Sequence, residues 1–142
     1  IIDGHQYPGP GPGPTKSSPS AHPDEWQWGV KAMPDQTRAA VPGEFGGTFL
    51  FFPDHSWNNT LKGLEPFTDA GYPLMNSSDE LTSRYETMLN TLHAMIQTNG
   101  ISGGIYTQFS DVEIECNGLV TYDRKLIKVD TARIKAANKG KK

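Results

Sequence analysis

Glu44 stands between Gly43 and the pair Gly46-Gly47, a carboxylate set among residues that let the backbone bend sharply around it. Two other places hold polar side chains where a strand should end: His5 and Tyr7 near the start, and Gln108 with Asp111 near the far end. Parallel α/β sheets gather functional groups at the carboxyl ends of their strands, so these three places are expected to converge on one rim. A carboxylate flanked by a phenol and an amide is equipped for nucleophilic displacement at a glycosidic carbon, the hydroxyl holding it and tuning its basicity. His55 and Trp57, in the loop that follows, offer a polar ring and an aromatic face for a sugar. A plainer role stands beside each of these. Glu44 could be a solvated loop carboxylate and Tyr7 a cap on a proline loop, while His55 and Trp57 could pack their loop and Gln108 and Asp111 could hydrogen-bond the rim.

Other chemistries find little support. Cys116 is the single cysteine, which rules out an internal disulfide and reads as a small buried hydrophobe. The four histidines show no metal-ligand spacing, so neither a metal site nor a cofactor is expected. Net charge is −3, yet Arg124, Lys125, Lys128, Arg133, Lys135, Lys139, Lys141 and Lys142 crowd the end of the chain. Without interleaved aromatics that run reads as a solvated helix and frayed tail rather than a nucleic-acid contact. No apolar run reaches membrane-spanning length. The sequons Asn58-Asn59-Thr60 and Asn76-Ser77-Ser78 keep secretion open beside a cytoplasmic location, and the opening Ile1-Ile2-Asp3-Gly4 is neither an initiator methionine nor a signal peptide.

The elements that must position these residues follow from pattern. Apolar residues make only 35% of the chain, which carries 15 glycines and 11 prolines, so a few regular elements are expected between long irregular segments. Ile1 to Tyr7 reads as a strand running into Pro8-Gly9-Pro10-Gly11-Pro12-Gly13-Pro14 and a Pro/Gly/Ser-rich loop over 8–24. Asp24 to Val30 reads as a helical turn and Arg38 to Phe45 as a short buried strand that tolerates Pro42 near its end. A long aromatic loop spans Gly47 to Asn76. Ser77 and Glu80 then form a capping box, Leu81, Tyr85, Met88, Leu92, Met95 and Ile96 recur at helical spacing, and Gly100 closes a helix over 78–99. Ile101 to Phe109 reads as a strand buried on both sides, which completes a βαβ unit with parallel strands. A hairpin-like Leu119 to Arg124, a terminal helix over 131–138 and a basic tail over 139–142 follow.

Val41-Pro42-Gly43-Glu44-Phe45-Gly46-Gly47 resembles the nucleophile motif on strand seven of family 2 glycoside hydrolases, the group of β-galactosidases and β-glucuronidases. In the same order, Asp3-Gly4-His5-Gln6-Tyr7-Pro8 resembles that family's strand six, whose tyrosine contacts the nucleophile, and His55-Ser56-Trp57 the loop after strand seven. Ile105 to Glu113 is similar to strand eight, and Asn117 to Arg124 to the short segment beyond it. The resemblance implies an α/β fold, the C-terminal portion of a (β/α)₈ TIM barrel, over residues 1–142. It implies Glu44 as the catalytic nucleophile of a retaining glycosidase acting on a terminal β-linked sugar, with His5, Tyr7, His55, Trp57, Gln108 and Asp111 binding substrate.

The acid/base glutamate of that family follows an asparagine, and no Asn-Glu pair occurs here. Asp111, Glu113 and Glu115 alternate along one face, but the resemblance places them beyond strand eight in a structural or sugar-contacting role. A complete barrel takes about 250 residues. The expectation is therefore a fragment completed by the remaining barrel segment, another copy or a partner chain, which supplies the acid/base. The alternative is a non-catalytic carbohydrate-binding or structural subunit.

Overall fold

A computed structural model describes residues 1–10, 37–69 and 71–140. The turn expected over Asp24 to Val30, most of the Pro/Gly-rich loop and the last two residues of the basic tail lie outside them. Strand β1 (Ile2–Gln6), β2 (Ala40–Gly46) and β3 (Tyr106–Thr107) form one parallel sheet in the order β1-β2-β3, with helices α1 (Glu65–Asp69), α2 (Ser78–Asn99) and α3 (Thr131–Asn138). The expectation of a TIM-barrel portion is corrected by this arrangement: the described chain is a small mixed α/β domain, and a barrel portion is not shown. Closing a sheet into a barrel requires the ladder to continue round through about eight tilted strands. Here it ends at β1 on one side and at β3 on the other among the described residues.

The expected strand over Ile101 to Phe109 is regular only at Tyr106–Thr107. Its earlier residues still run beside β2, with Ser102 N–H donating to Ala40 O (2.8 Å), Ile105 N–H to Pro42 O (2.9 Å) and Phe45 N–H to Ile105 O (3.0 Å). Pro42 has no N–H to give, so it takes part in the ladder only as an acceptor. The β1–β2 register slips between Gly4 and His5, which puts His5 opposite Glu44. Gly43 is the residue passed over. A Cβ there would sit 1.9 Å from the Asp3 carboxylate, so only glycine lets that side chain cross β2.

Helix α2 begins where the sequence says it should. The Ser77 side chain accepts from Glu80 N–H (3.1 Å), while the Glu80 carboxylate takes the N–H of Asn76 (2.8 Å) rather than that of Ser77, and Gly100 ends the helix in a left-handed conformation. Its apolar stripe of Leu81, Tyr85, Met88, Leu89, Leu92 and Met95 is buried, and from Tyr85 onward it joins Ala40 and Phe45 of β2, Ile101, and Ile134 and Ala137 of α3 in one core. Asp130 caps α3 by accepting from Ala132 and Arg133 N–H, and Arg133 reaches across to Asp79, Ser83 and Glu86 on α2.

A second cluster of Phe49, Leu64 and Cys116, flanked by Phe51, Phe67 and Tyr72, fastens the long loop after β2. Within that loop α1 is a short helix that the turn-rich composition concealed. The Leu119 to Arg124 segment is one arm of a turn: Thr121 N–H donates to Leu126 O and Lys128 N–H to Leu119 O.

The solvated basic run is also corrected. Lys128 is wholly buried, its ammonium donating to Asp111 Oδ1 (2.8 Å), Leu50 O (2.8 Å) and Cys116 O (2.9 Å). A buried ammonium must find acceptors, and these three tie the loops before α1 and after β3 to the segment leading into α3. No helix among the described residues is long and apolar enough to cross a membrane.

Candidate functional site

The parallel register carries Tyr7, just past β1, to the end of β2. Its hydroxyl donates to Glu44 Oε2 at 2.7 Å. His5 Nδ1 lies 3.2 Å from the same oxygen, and His5 Nε2 lies 3.3 Å from Asp3 Oδ2, so the imidazole bridges two carboxylates. About two-fifths of the Glu44 side chain and half of the His5 side chain remain exposed, which leaves the carboxylate open to a ligand. Burial, with the hydrogen bond to Glu44, pushes the Tyr7 hydroxyl well above its usual range despite an opposing hydrogen bond with Thr107. Tyr7 is therefore a proton donor to Glu44 at any ordinary pH.

Tyr72 stacks on Tyr7, ring centroids 5.5 Å apart and planes inclined by 27°. Gly47 makes that stack fit. It sits at φ +65°, and a Cβ on it would lie 2.4 Å from the Tyr72 ring and 2.9 Å from the Tyr7 ring. The glycine pair after Glu44 thus turns the chain and leaves room for two aromatic rings beside the carboxylate. Tyr72 is a residue that the sequence pattern did not single out; glycines clustered beside an acid were the available signal that something bulky packs there.

The remaining candidates divide between this rim and other places. Gln108 follows Thr107 directly and its side-chain amide donates to Asn117 Oδ1 at 2.8 Å; Asn117 in turn donates to Glu115 Oε2 at 3.4 Å. Asp111 turns inward, where it accepts from Lys128 and from Gly118 N–H (2.8 Å). Burial raises its carboxyl pKa and lowers that of the Lys128 ammonium, with the pair's mutual attraction opposing both shifts. His55 Nδ1 contacts Asp123 Oδ2 at 2.9 Å, and Trp57 packs edge-to-face on Tyr122 at 5.2 Å. Those two therefore belong to the turn around Tyr122, with Trp57 about half exposed.

A groove of about 380 Å³ lies elsewhere, lined by Phe109, Leu119, Val120, Ile127, Val129 and Ile134 among others. Thr131, Lys135, Asn138 and Lys139 complete its lining, and none of the sequence-predicted site residues lines it. No cluster of three or more His, Cys, Asp or Glu able to hold a metal ion is found among the described residues. What the rim can do chemically is present an ionisable carboxylate with one oxygen engaged by a phenol and an imidazole. Compared with known proteins, the chain matches no protein-family model and no curated protein.

Proposed function

We propose that the chain is part of a retaining glycoside hydrolase that cleaves a terminal β-linked sugar, with Glu44 as nucleophile and the acid/base supplied from outside this chain. The observation that carries this is the 2.7 Å hydrogen bond from Tyr7 to Glu44 at the carboxyl ends of two paired parallel strands. A nucleophilic carboxylate needs one oxygen restrained and the other free to attack. Among the described residues both polar contacts of Glu44 fall on Oε2. Attack by Oε1 on the anomeric carbon forms a glycosyl-enzyme ester as the aglycone departs with a proton from the second carboxylic acid. Water, deprotonated by that same group, then cleaves the ester and releases the sugar with its configuration retained. As negative charge leaves Glu44 in the first step, the Tyr7 phenol orients the carboxylate, and in the second step it stabilises the charge that returns.

The second acid belongs about 5 Å from Glu44 in a retaining site. A further segment, a second copy or a partner chain would bring it. The outer faces of Ile105 and Phe109, 60% and 74% exposed, offer apolar surface beside β3 for such a contact. Glu44→Gln in the full-length protein, assayed with 4-nitrophenyl β-D-glycosides and checked for folding by circular dichroism, is the test. Hydrolysis should fall by at least about a thousandfold with folding retained; unchanged turnover sinks the assignment. The same carboxylate rim without a nearby acid would bind sugar without cleaving it. That second reading requires a variant-independent lack of turnover with sugar binding retained.

A further inference from the structure

Asp3 is a charged side chain on the rim to which the proposed mechanism gives no task. Successive side chains of a strand point to opposite faces, so Asp3 and His5 share one face of β1, and Tyr7 follows them at the same spacing just past its end. Two of the three touch Glu44. The Tyr7 hydroxyl and His5 Nδ1 both meet Oε2, at 2.7 and 3.2 Å. Asp3 meets the far side of the imidazole instead, its Oδ2 lying 3.3 Å from Nε2. The ring is thus held between two carboxylates, one that the mechanism uses and one that it does not.

The neighbouring strand makes a seat for Asp3. The three atoms nearest to a Cβ built on Gly43 all belong to the Asp3 carboxyl group: Oδ1 at 1.9 Å, Cγ at 2.7 Å and Oδ2 at 3.1 Å. That group therefore fills the space in which any other residue in place of Gly43 would carry its side chain. Backbone conformation does not account for the glycine, because Gly43 is not among the glycines with positive φ. The register slip that sets His5 opposite Glu44 passes over the same residue. One irregularity of β2 thereby places His5 against Glu44 and Asp3 behind His5.

Folding stability does not explain the arrangement. The side chains of Asp3 and His5 are 56% and 48% exposed, and ion pairs so open to water add little to folding. What the contact does supply is orientation. A carboxylate only accepts hydrogen bonds, so Asp3 takes the Nε2–H and turns Nδ1 towards Glu44. The terminal torsion of a glutamate is broad, and one contact from Tyr7 leaves the carboxylate plane free to swing. A second contact on the same oxygen fixes that plane only if the ring giving it is itself held. A carboxylate behind a histidine has this task in hydrolytic triads. Resting on the assignment of Glu44 as nucleophile, we infer that Asp3 is a positioning residue: it holds the His5 ring so that Nδ1 and the Tyr7 hydroxyl together pin Oε2, leaving Oε1 free for the anomeric carbon.

The test is kcat and KM of the full-length protein on 4-nitrophenyl β-D-galactoside and β-D-glucoside, with a melting temperature for each variant. Asp3→Ala should lower kcat at least about tenfold at nearly constant KM and with little change in melting temperature. Asp3→Asn keeps an acceptor for Nε2–H and should recover part of that loss. In Asp3→Ala/His5→Ala, kcat should fall no further than in His5→Ala, because Asp3 acts only through the ring. With Glu44→Gln inactive, any of the following overturns the role of Asp3 and spares that of Glu44: an unaltered kcat in Asp3→Ala, a loss confined to KM, an Asp3→Asn no better than Asp3→Ala, or additive losses in the double variant. Full activity in Glu44→Gln, or no hydrolysis of either probe by wild type, removes both. Should Asp3→Ala fail to fold, Gly43→Ala decides, since a methyl group there crowds the carboxyl group out of its seat while leaving it on the chain. A kcat loss at constant KM supports the inference, and an undiminished kcat overturns it.

Discussion

Replacing Lys128 by methionine removes an ammonium from the protein interior. The side chain is fully buried and that of Asp111 is 3% exposed. Three acceptors lose their donor together: Asp111 Oδ1, Leu50 O and Cys116 O. Gly118 N–H still serves Asp111, but one backbone dipole does not balance a buried charge. Breaking one side of such a pair costs about 3–5 kcal/mol, a large share of the roughly 5–15 kcal/mol that holds a domain folded. The double variant Lys128→Met/Asp111→Asn keeps the acceptor for Gly118 and removes the unpaired charge, so it should recover at least about 1 kcal/mol of the loss. Urea unfolding followed by tryptophan fluorescence measures both. The deficit of the single variant should also be smaller at pH 4 than at pH 7. Without Lys128 the folded pKa of Asp111 lies above its unfolded value of about 3.9, so its penalty is absent below that value and grows as pH rises towards the folded one. A single variant within about 1 kcal/mol of wild type, or a double variant less stable than the single one, refutes the assignment of this contact as an interior clamp.

Two further outcomes follow from other contacts. Tyr7→Phe deletes the hydroxyl on Glu44 and keeps the ring stacked on Tyr72, so kcat on an aryl β-glycoside should fall about a hundredfold with a small change in the melting temperature; unaltered kcat removes Tyr7 from the site. Asp123 is held well below the usual carboxylate range, chiefly by its hydrogen bond with His55, and Glu86 is lowered chiefly by Arg133. Both folded pKa values lie below the unfolded one, so their stabilisation is complete above the unfolded value of about 4 and is lost as pH falls through the folded values. Thermal unfolding from pH 7 to pH 2 should show this loss, with a shallower slope in a His55→Ala/Arg133→Gln variant and in high salt; equal slopes exclude it.

What could be read before any coordinates was whatever short-range chemistry decides. Ser77, Glu80 and Gly100 bound α2 because caps act within one turn, and its apolar stripe follows from helical spacing alone. Lys128 was illegible for the opposite reason: its fate depends on Asp111, Leu50 and Cys116, which lie 17, 78 and 12 residues away, and nothing next to it distinguishes it from Lys125. Asp111 misled in the same way, since a carboxylate just past a strand looks alike whether it faces a ligand or a buried ammonium. The barrel expectation came from motif order, which specifies how strands follow one another but not how many close the sheet. Helix α1 and the shortening of β3 escaped because proline and glycine mark where regular structure is interrupted better than where it briefly resumes.

The rim itself is a consequence of parallel pairing. Tyr7 and Glu44 are 37 residues apart, yet they can share a proton because β1 and β2 run the same way and end together. A one-residue slip at Gly4/His5 then decides which face each side chain takes. Without it the alternation would set His5 opposite Gly43 rather than Glu44, and the imidazole would have no second carboxylate to bridge. Gly43 permits the slip by giving Asp3 room, and Gly47 permits the Tyr7–Tyr72 stack that limits where the phenol can go. The two glycines flanking the acid are thus structural requirements of its hydrogen bonds. A side chain at either position would disturb the carboxylate without touching it, which is how a motif of small residues can specify the direction in which one glutamate points.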